Sequence, residues 1–156
     1  MSGANTSLVG VSARDRRVAI VAARFNDAIV SRLIAGAREA WLARGGSEHS
    51  LTIVRVPGAF ELPLAAQSFA ASGRYHAVVA LGCVIRGGTP HFEYVAGECA
   101  RGLQDAALRT GIPVAFGVLT VENEQQALDR AAPGPGNKGA EALESMLEMI
   151  ELLAST

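Results

Sequence analysis

The chain should fold as an α/β domain in which a four-stranded parallel sheet lies between layers of helix. Short apolar, β-branched runs recur along the sequence, and each is followed by a segment of helical periodicity. The resulting βαβαβαβα order supplies the crossover that parallel strands require. At 156 residues the chain is long enough for one domain with a sizeable core.

The elements follow in order. Arg17 to Ala22 reads as a buried strand, and Arg24-Phe25-Asn26-Asp27 as a polar turn with Asn26 or Asp27 as helix N-cap. The helix after it carries Ile29, Leu33, Ala37 and Trp41 on one face and stops at Gly45-Gly46. Leu51 to Val56 is the second strand. Pro57-Gly58-Ala59-Phe60-Glu61 is a loop, followed by a short helix through about Ala71. Ala77 to Leu81 is the third strand, and Gly82 onward is a glycine turn. Thr89 is a good N-cap and Pro90 a good first helical residue, with Val95, Cys99, Leu103 and Ala106 along one face. Pro113 to Val118 is the fourth strand and Glu124 to Ala131 a short helix. The last helix sets Leu143, Leu147, Ile150 and Leu153 against Glu141, Glu144, Glu148 and Glu151. Residues 1–14 lack periodicity and read as an N-terminal arm, which leaves 15–156 as a single domain. The expected architecture is a flavodoxin-like three-layer αβα sandwich with strand order 2-1-3-4. Its ligand site should lie outside the carboxyl ends of strands 1 and 3, at the switch point.

Composition narrows the function classes. Apolar residues make up 49% of the chain and 17 glycines come on top, above the roughly 45–50% usual for that combined set. Burial between subunits as well as within one is expected. Fourteen basic and fifteen acidic residues leave a net charge of -1, which favours neither nucleic acid nor an anionic membrane. The start lacks the pattern of a signal peptide and no apolar run is of membrane-spanning length, so a cytoplasmic protein is expected. Cys83 and Cys99 form no C-x-x-C pair and read as reduced apolar residues. No metal-ligand spacing is present, and neither metal nor cofactor is expected.

The most informative stretch runs from Gly82 to Phe92. A strand, a glycine turn and a helix start expose backbone N–H groups where an anion is favoured. His91, a side chain suited to general acid–base work, stands beside them. Phe25, Phe60 and Phe116 are bulky aromatics at expected strand ends, and a planar ligand can stack on Phe25 or Phe116. Glu61 can accept hydrogen bonds from hydroxyls or amines. Arg86 reads as an ion-pair partner. Arg130 and Lys138 flank a Pro- and Gly-rich connection, and either cation can face a phosphate.

Together these segments resemble the 6,7-dimethyl-8-ribityllumazine synthase family over about residues 16–153. The matching stretches are Arg24-Phe25-Asn26, Pro57 to Pro63, Gly82 to Phe92, Phe116 to Thr120, Gln126 to Ala131 and Gly136-Asn137-Lys138-Gly139. The resemblance implies condensation of 5-amino-6-(D-ribitylamino)uracil with 3,4-dihydroxy-2-butanone 4-phosphate, with release of phosphate and water. By match, Phe25 would stack on the pyrimidine, and Ala59, Phe60 and Glu61 would bind it, with Glu61 on the ribityl hydroxyls. Cys83, Val84 and Ile85 would line the ring pocket. Gly88 and Thr89 would hold the phosphate, and His91 would move protons. Phe116 would close the pocket from a neighbouring subunit. Arg130 would bind phosphate with Lys138 assisting. Gly88 departs from the family's usual Glu, Ala, Ser or Gln. The resemblance also implies a homo-oligomer of pentamers, favouring a 60-subunit shell because the Arg130–Lys138 connection is short, with riboflavin synthase as a candidate cargo. A same-fold riboflavin synthase and a non-catalytic flavin-binding shell protein are the competing readings.

Overall fold

The computed structural model describes residues 11–156. The four strands β1 (Val18–Ala23), β2 (Leu51–Val56), β3 (Ala77–Ile85) and β4 (Val114–Val121) form one sheet in the order β2-β1-β3-β4. All three pairings are parallel, with Val18 opposite both Leu51 and Ala77, and Val78 opposite Val114. Among the described residues the α-helices are α1 (Asp27–Ala43), α2 (Leu62–Ala71), α3 (His91–Thr110), α4 (Glu124–Ala131) and α5 (Lys138–Ala154). The predicted fold class and strand order hold.

Strand alternation divides the core in two. Ile20, Ala22, Val79, Leu81 and Cys83 pack under α1, α4 and α5, together with Leu33, Trp41, Ala127 and Leu147. Ala19, Val21, Val78 and Ala80 pack under α2 and α3, together with Leu62, Ala66, Cys99 and Leu103. Every residue of β1 is buried, as a central strand covered on both faces requires. The predicted α1 face of Ile29, Leu33, Ala37 and Trp41 is buried throughout. Leu143, Leu147 and Ile150 of α5 are buried as well, whereas Leu153 is exposed near the helix end.

Several boundaries differ from the sequence reading. Strand β3 runs through Gly82 to Ile85, because Gly82 lies in the sheet against Leu62 and Val118, where a Cβ would be 3.3 and 3.5 Å from their methyl carbons. Strand β4 continues three residues beyond Val118 for the same reason: Cys83, Val84 and Ile85 supply partners as far as Val121. Phe116 is therefore the third residue of β4, opposite Ala80, and does not reach the carboxyl rim. The loop at Pro57–Glu61 contains a 3₁₀ turn over Ala59–Glu61. Residues 1–10 of the expected arm lie outside the described residues. Val11 and Ala13 are buried, and the Ala13 N–H donates to the Arg44 carbonyl at the end of α1 at 2.9 Å.

Candidate active site

Three strand ends build one concavity of about 790 Å³, within the usual range for small-molecule sites. The β1 end contributes Phe25 and Asn26, the β2 end Pro57 to Glu61, and the β3 end Cys83, Val84, Ile85, Gly87, Thr89 and His91. Phe92, Tyr94 and Val95 of α3 complete the wall. The site lies at the β1/β3 switch point, where the strand order directs it.

Backbone geometry aims the β1 end. The Arg24 N–H donates to the Val56 carbonyl at 2.7 Å and the Phe25 N–H to the Pro57 carbonyl at 3.1 Å, which extends the β1–β2 pairing past the sheet. Asn26 then turns the chain in a left-handed conformation, φ 62° and ψ 45°, which asparagine tolerates better than most residues. Its side chain does not cap α1. The Nδ2 donates instead to the Cys83 carbonyl at 2.8 Å and ties the β1 end to the β3 end. Arg55 fastens the same corner: its Nη2 donates to the Ala23 carbonyl at 3.0 Å and to Asp27 Oδ1 at 2.6 Å. That hydrogen bond holds the Asp27 carboxyl below its ordinary pKa. Phe25 and Phe60 are left 71% and 61% exposed, unusual for isolated Phe and suited to stacking on a flat ligand.

Cys83 enters the site by its backbone. Its side chain shares the α1/α5 core with Leu81, and burial pushes the thiol up to about 11. It is neutral at physiological pH. Val84 points to the opposite core and packs beside the pocket. Glu61 closes the 3₁₀ turn and lines the cavity.

The turn expected to bind an anion follows β3. Helix α3 begins at His91 with Pro90 in the cap position, so Thr89, the expected N-cap, lies one residue before the observed one. The Thr89 Oγ1 still accepts from the His91 N–H, at a long 3.5 Å. Gly87, Thr89 and His91 all line the cavity, and Gly88 lies between the first two.

Gly88 is itself not a lining residue, and three further predicted residues lie away from this cavity. Phe116 is 45% exposed on the edge strand, and alternation puts it on the face of Val114 and Val118. Arg130 ends α4, and its Nη1 donates to the Gln126 carbonyl at 3.0 Å. Lys138 opens α5 and pairs with Glu141 at 3.0 Å. Both helices cover the α1 face of the sheet, whereas the cavity walls are the 3₁₀ turn and α3 on the other face. The sequence signal for Arg86 as an ion-pair partner is met by Glu93 and Glu122. The positioning role of Asn26 was not anticipated; its hydrogen bond spans 57 residues and leaves no local pattern. Among the described residues, no cluster of three or more His, Cys, Asp or Glu could hold a metal ion.

A concavity at the switch point of a three-layer parallel α/β fold, lined by the exposed Phe25 and Phe60, by Glu61, by the glycine turn and by His91, has the form of a small-molecule enzyme site. The family model of 6,7-dimethyl-8-ribityllumazine synthase matches residues 15–154. A 6,7-dimethyl-8-ribityllumazine synthase from Halorhodospira halophila (strain DSM 244 / SL1) is 55% identical over 143 residues, 92% of this chain and 92% of that one. The chain belongs to the 6,7-dimethyl-8-ribityllumazine synthase family. It is a transferase of riboflavin biosynthesis that condenses 5-amino-6-(D-ribitylamino)uracil with 3,4-dihydroxy-2-butanone 4-phosphate.

Proposed function

We propose the following division of labour for that condensation. The pyrimidine stacks on Phe25, with Ala59, Phe60 and the backbone of Cys83, Val84 and Ile85 around it, and Glu61 accepts from the ribityl hydroxyls. The N–H groups at Gly88 and Thr89 hold the phosphate of the four-carbon substrate. The free amine attacks the ketone to give an imine and water. The C3 proton then leaves as phosphate is expelled from C4, the resulting enol tautomerises to a new ketone at C3, and the ribityl-bearing amine closes on that ketone with loss of a second water. His91 relays protons in these steps. The observation that carries this reading is the convergence of the three strand ends on one cavity that holds Phe25, Glu61, Thr89 and His91 together.

Amine–ketone condensation needs little covalent help, so co-positioning supplies most of the rate, with effective molarities up to ~10⁵–10⁸ M in favourable cases. His91→Ala should lower kcat by about 10²–10⁴-fold, the usual range for a general acid–base residue, and leave a measurable rate. Lumazine absorbance after mixing both substrates reads this directly, and an unchanged kcat removes His91 from the mechanism.

Phe116, Arg130 and Lys138 complete the site of an adjoining subunit, which is how residues remote from their own cavity serve the reaction. Leu64, Tyr94 and Leu108, exposed by 78%, 69% and 72% on the α2–α3 layer, support such an interface. The assembly proposed is a pentamer that builds a 60-subunit shell, with riboflavin synthase as a candidate cargo. Residues 1–14 act as an arm on the catalytic domain of 15–156. The free thiols Cys83 and Cys99 accord with a cytoplasmic site of action. A sedimentation value of a lone pentamer would overturn the shell.

A further inference from the structure

The turn assigned to the phosphate has little packing of its own. Gly87 through His91 are all exposed, and a Cβ on Gly87 or Gly88 would meet nothing within 4 Å. The Thr89–His91 bond inside it is marginal at 3.5 Å. Two consecutive glycines make such a segment permissive, yet anion binding requires its N–H groups to converge.

Arg86, the residue before the turn, supplies the missing constraint. Its N–H donates to the Val121 carbonyl at 2.8 Å, one step beyond the β3–β4 ladder. Its Nε donates to both oxygens of Glu122, at 3.1 and 2.6 Å. Its Nη1 donates to Glu93 at 2.5 Å, and its guanidinium carbon stands 4.4 Å from the Phe92 ring centroid. Phe92 and Glu93 belong to the first turn of α3. The start of the glycine turn is thereby fastened to its end, and both are fastened to the junction of β4 and α4. Arg86 itself does not line the cavity.

The geometry points to Arg86 as the positioning residue of the phosphate turn. It orients Gly88, Thr89 and His91 by closing the turn between two carboxylates, and it neutralises Glu93 beside the helix start where the anion must sit. Single exposed ion pairs are worth little, so the effect is on orientation, not on global stability. The planar guanidinium serves two carboxylates and one ring face at once, which an ammonium does not.

This inference rests on the assignment of Gly88–Thr89 to phosphate. The test uses inorganic phosphate as inhibitor of the intact enzyme, with Ki, both KM values and kcat measured for Arg86→Ala, Arg86→Lys, Glu93→Gln, Glu122→Gln and Thr89→Val. Arg86→Ala should raise the phosphate Ki and the KM of the phosphorylated substrate together, by about tenfold or more. The pyrimidine KM should stay within about twofold. Arg86→Lys should recover only a minor part of the loss, and each Gln variant should raise Ki in the same direction. A lowered Ki in the Gln variants would overturn the proposal, because it would make Arg86 a direct phosphate ligand freed by their removal. Equal rises in both KM values would overturn it in favour of general disorder. If Thr89→Val shifts Ki and Arg86→Ala does not, Arg86 alone is excluded; if neither shifts it, the phosphate assignment falls too.

Discussion

Replacing Asn137 with alanine should loosen the segment that carries Arg130 and Lys138. Asn137 is 2% exposed and stands just before α5. Its Oδ1 accepts from the Ala140 N–H at 3.0 Å, which caps the helix. Its Nδ2 donates to the carbonyls of Arg32, Ala131 and Ala132 at 3.3, 3.1 and 3.2 Å, so one amide joins α1, the α4 end and the α5 start. Loss of the cap costs about 1 kcal/mol. Loss of the amide donors leaves buried carbonyl oxygen without a partner, at about 1–3 kcal/mol. The sum is roughly 2–4 kcal/mol. With a urea m-value of about 2 kcal/mol/M, the midpoint should fall by roughly 1–2 M at unchanged m. Circular dichroism at one fixed protein concentration is the assay, because subunit association adds to apparent stability. Asn137→Asp separates the two contributions: it keeps the capping oxygen but turns a carboxylate toward three carbonyls. It should be at least as damaging as alanine. A midpoint shift for Asn137→Ala worth less than about 0.5 kcal/mol, or an aspartate milder than alanine, would refute the reasoning.

Gly139→Ala should destabilise strongly, since a Cβ there would fall onto the Leu33 carbonyl of α1; a wild-type urea midpoint would contradict that packing. Stability should also fall on mild acidification. Neutral His76 accepts the Arg17 N–H on Nδ1 at 2.9 Å, and burial, with Arg17 and Arg16 nearby, lowers its pKa below the ordinary 6.5. The folded state therefore resists a proton that the unfolded chain takes up. This contribution is complete above the unfolded value and is lost as pH drops from there toward the folded one. His76→Gln should flatten the loss of urea midpoint between pH ~7 and ~5.5. Burial pushes Cys83 and Cys99 up to about 11 and about 12, so both should resist a thiol reagent at pH ~8 and react on denaturation. Rapid labelling of the native enzyme would contradict their burial.

Legibility in the sequence followed the range of each determinant. Helix α1 declared itself through Ile29, Leu33, Ala37 and Trp41, because a single buried stripe repeats at the helical period. The strand order followed from the crossover pattern. The ends of β3 and β4 were harder. Gly82 carries the local signature of a turn, yet close approach of Leu62 and Val118 holds it in the sheet. Gly117 sits opposite Leu81, and a Cβ there would meet the Ala80 carbonyl oxygen at 2.8 Å. Tertiary crowding thus overrode the propensity of both glycines. The misplacement of Phe116 at the rim followed from ending β4 too soon. Asn26 was read as a helix start, but its side chain serves Cys83 on another strand. The residues around the cavity were legible because strand ends of a parallel sheet share one rim. The distance of Arg130 and Lys138 from that cavity was not, because it depends on how α4 and α5 pack across the sheet.

The remoteness of Phe116, Arg130 and Lys138 from the cavity of their own chain has a statistical consequence. Where each site is shared by two chains, a protein impaired only at His91 and one impaired only at Arg130 are defective in opposite halves. Co-assembled at random in equal amounts, about a quarter of interfaces pair an intact half with an intact half. Two nearly silent preparations would then recover up to about a quarter of the activity after mixing and reassembly. The same two substitutions made in a single chain would leave no such reserve, whatever the mixing ratio.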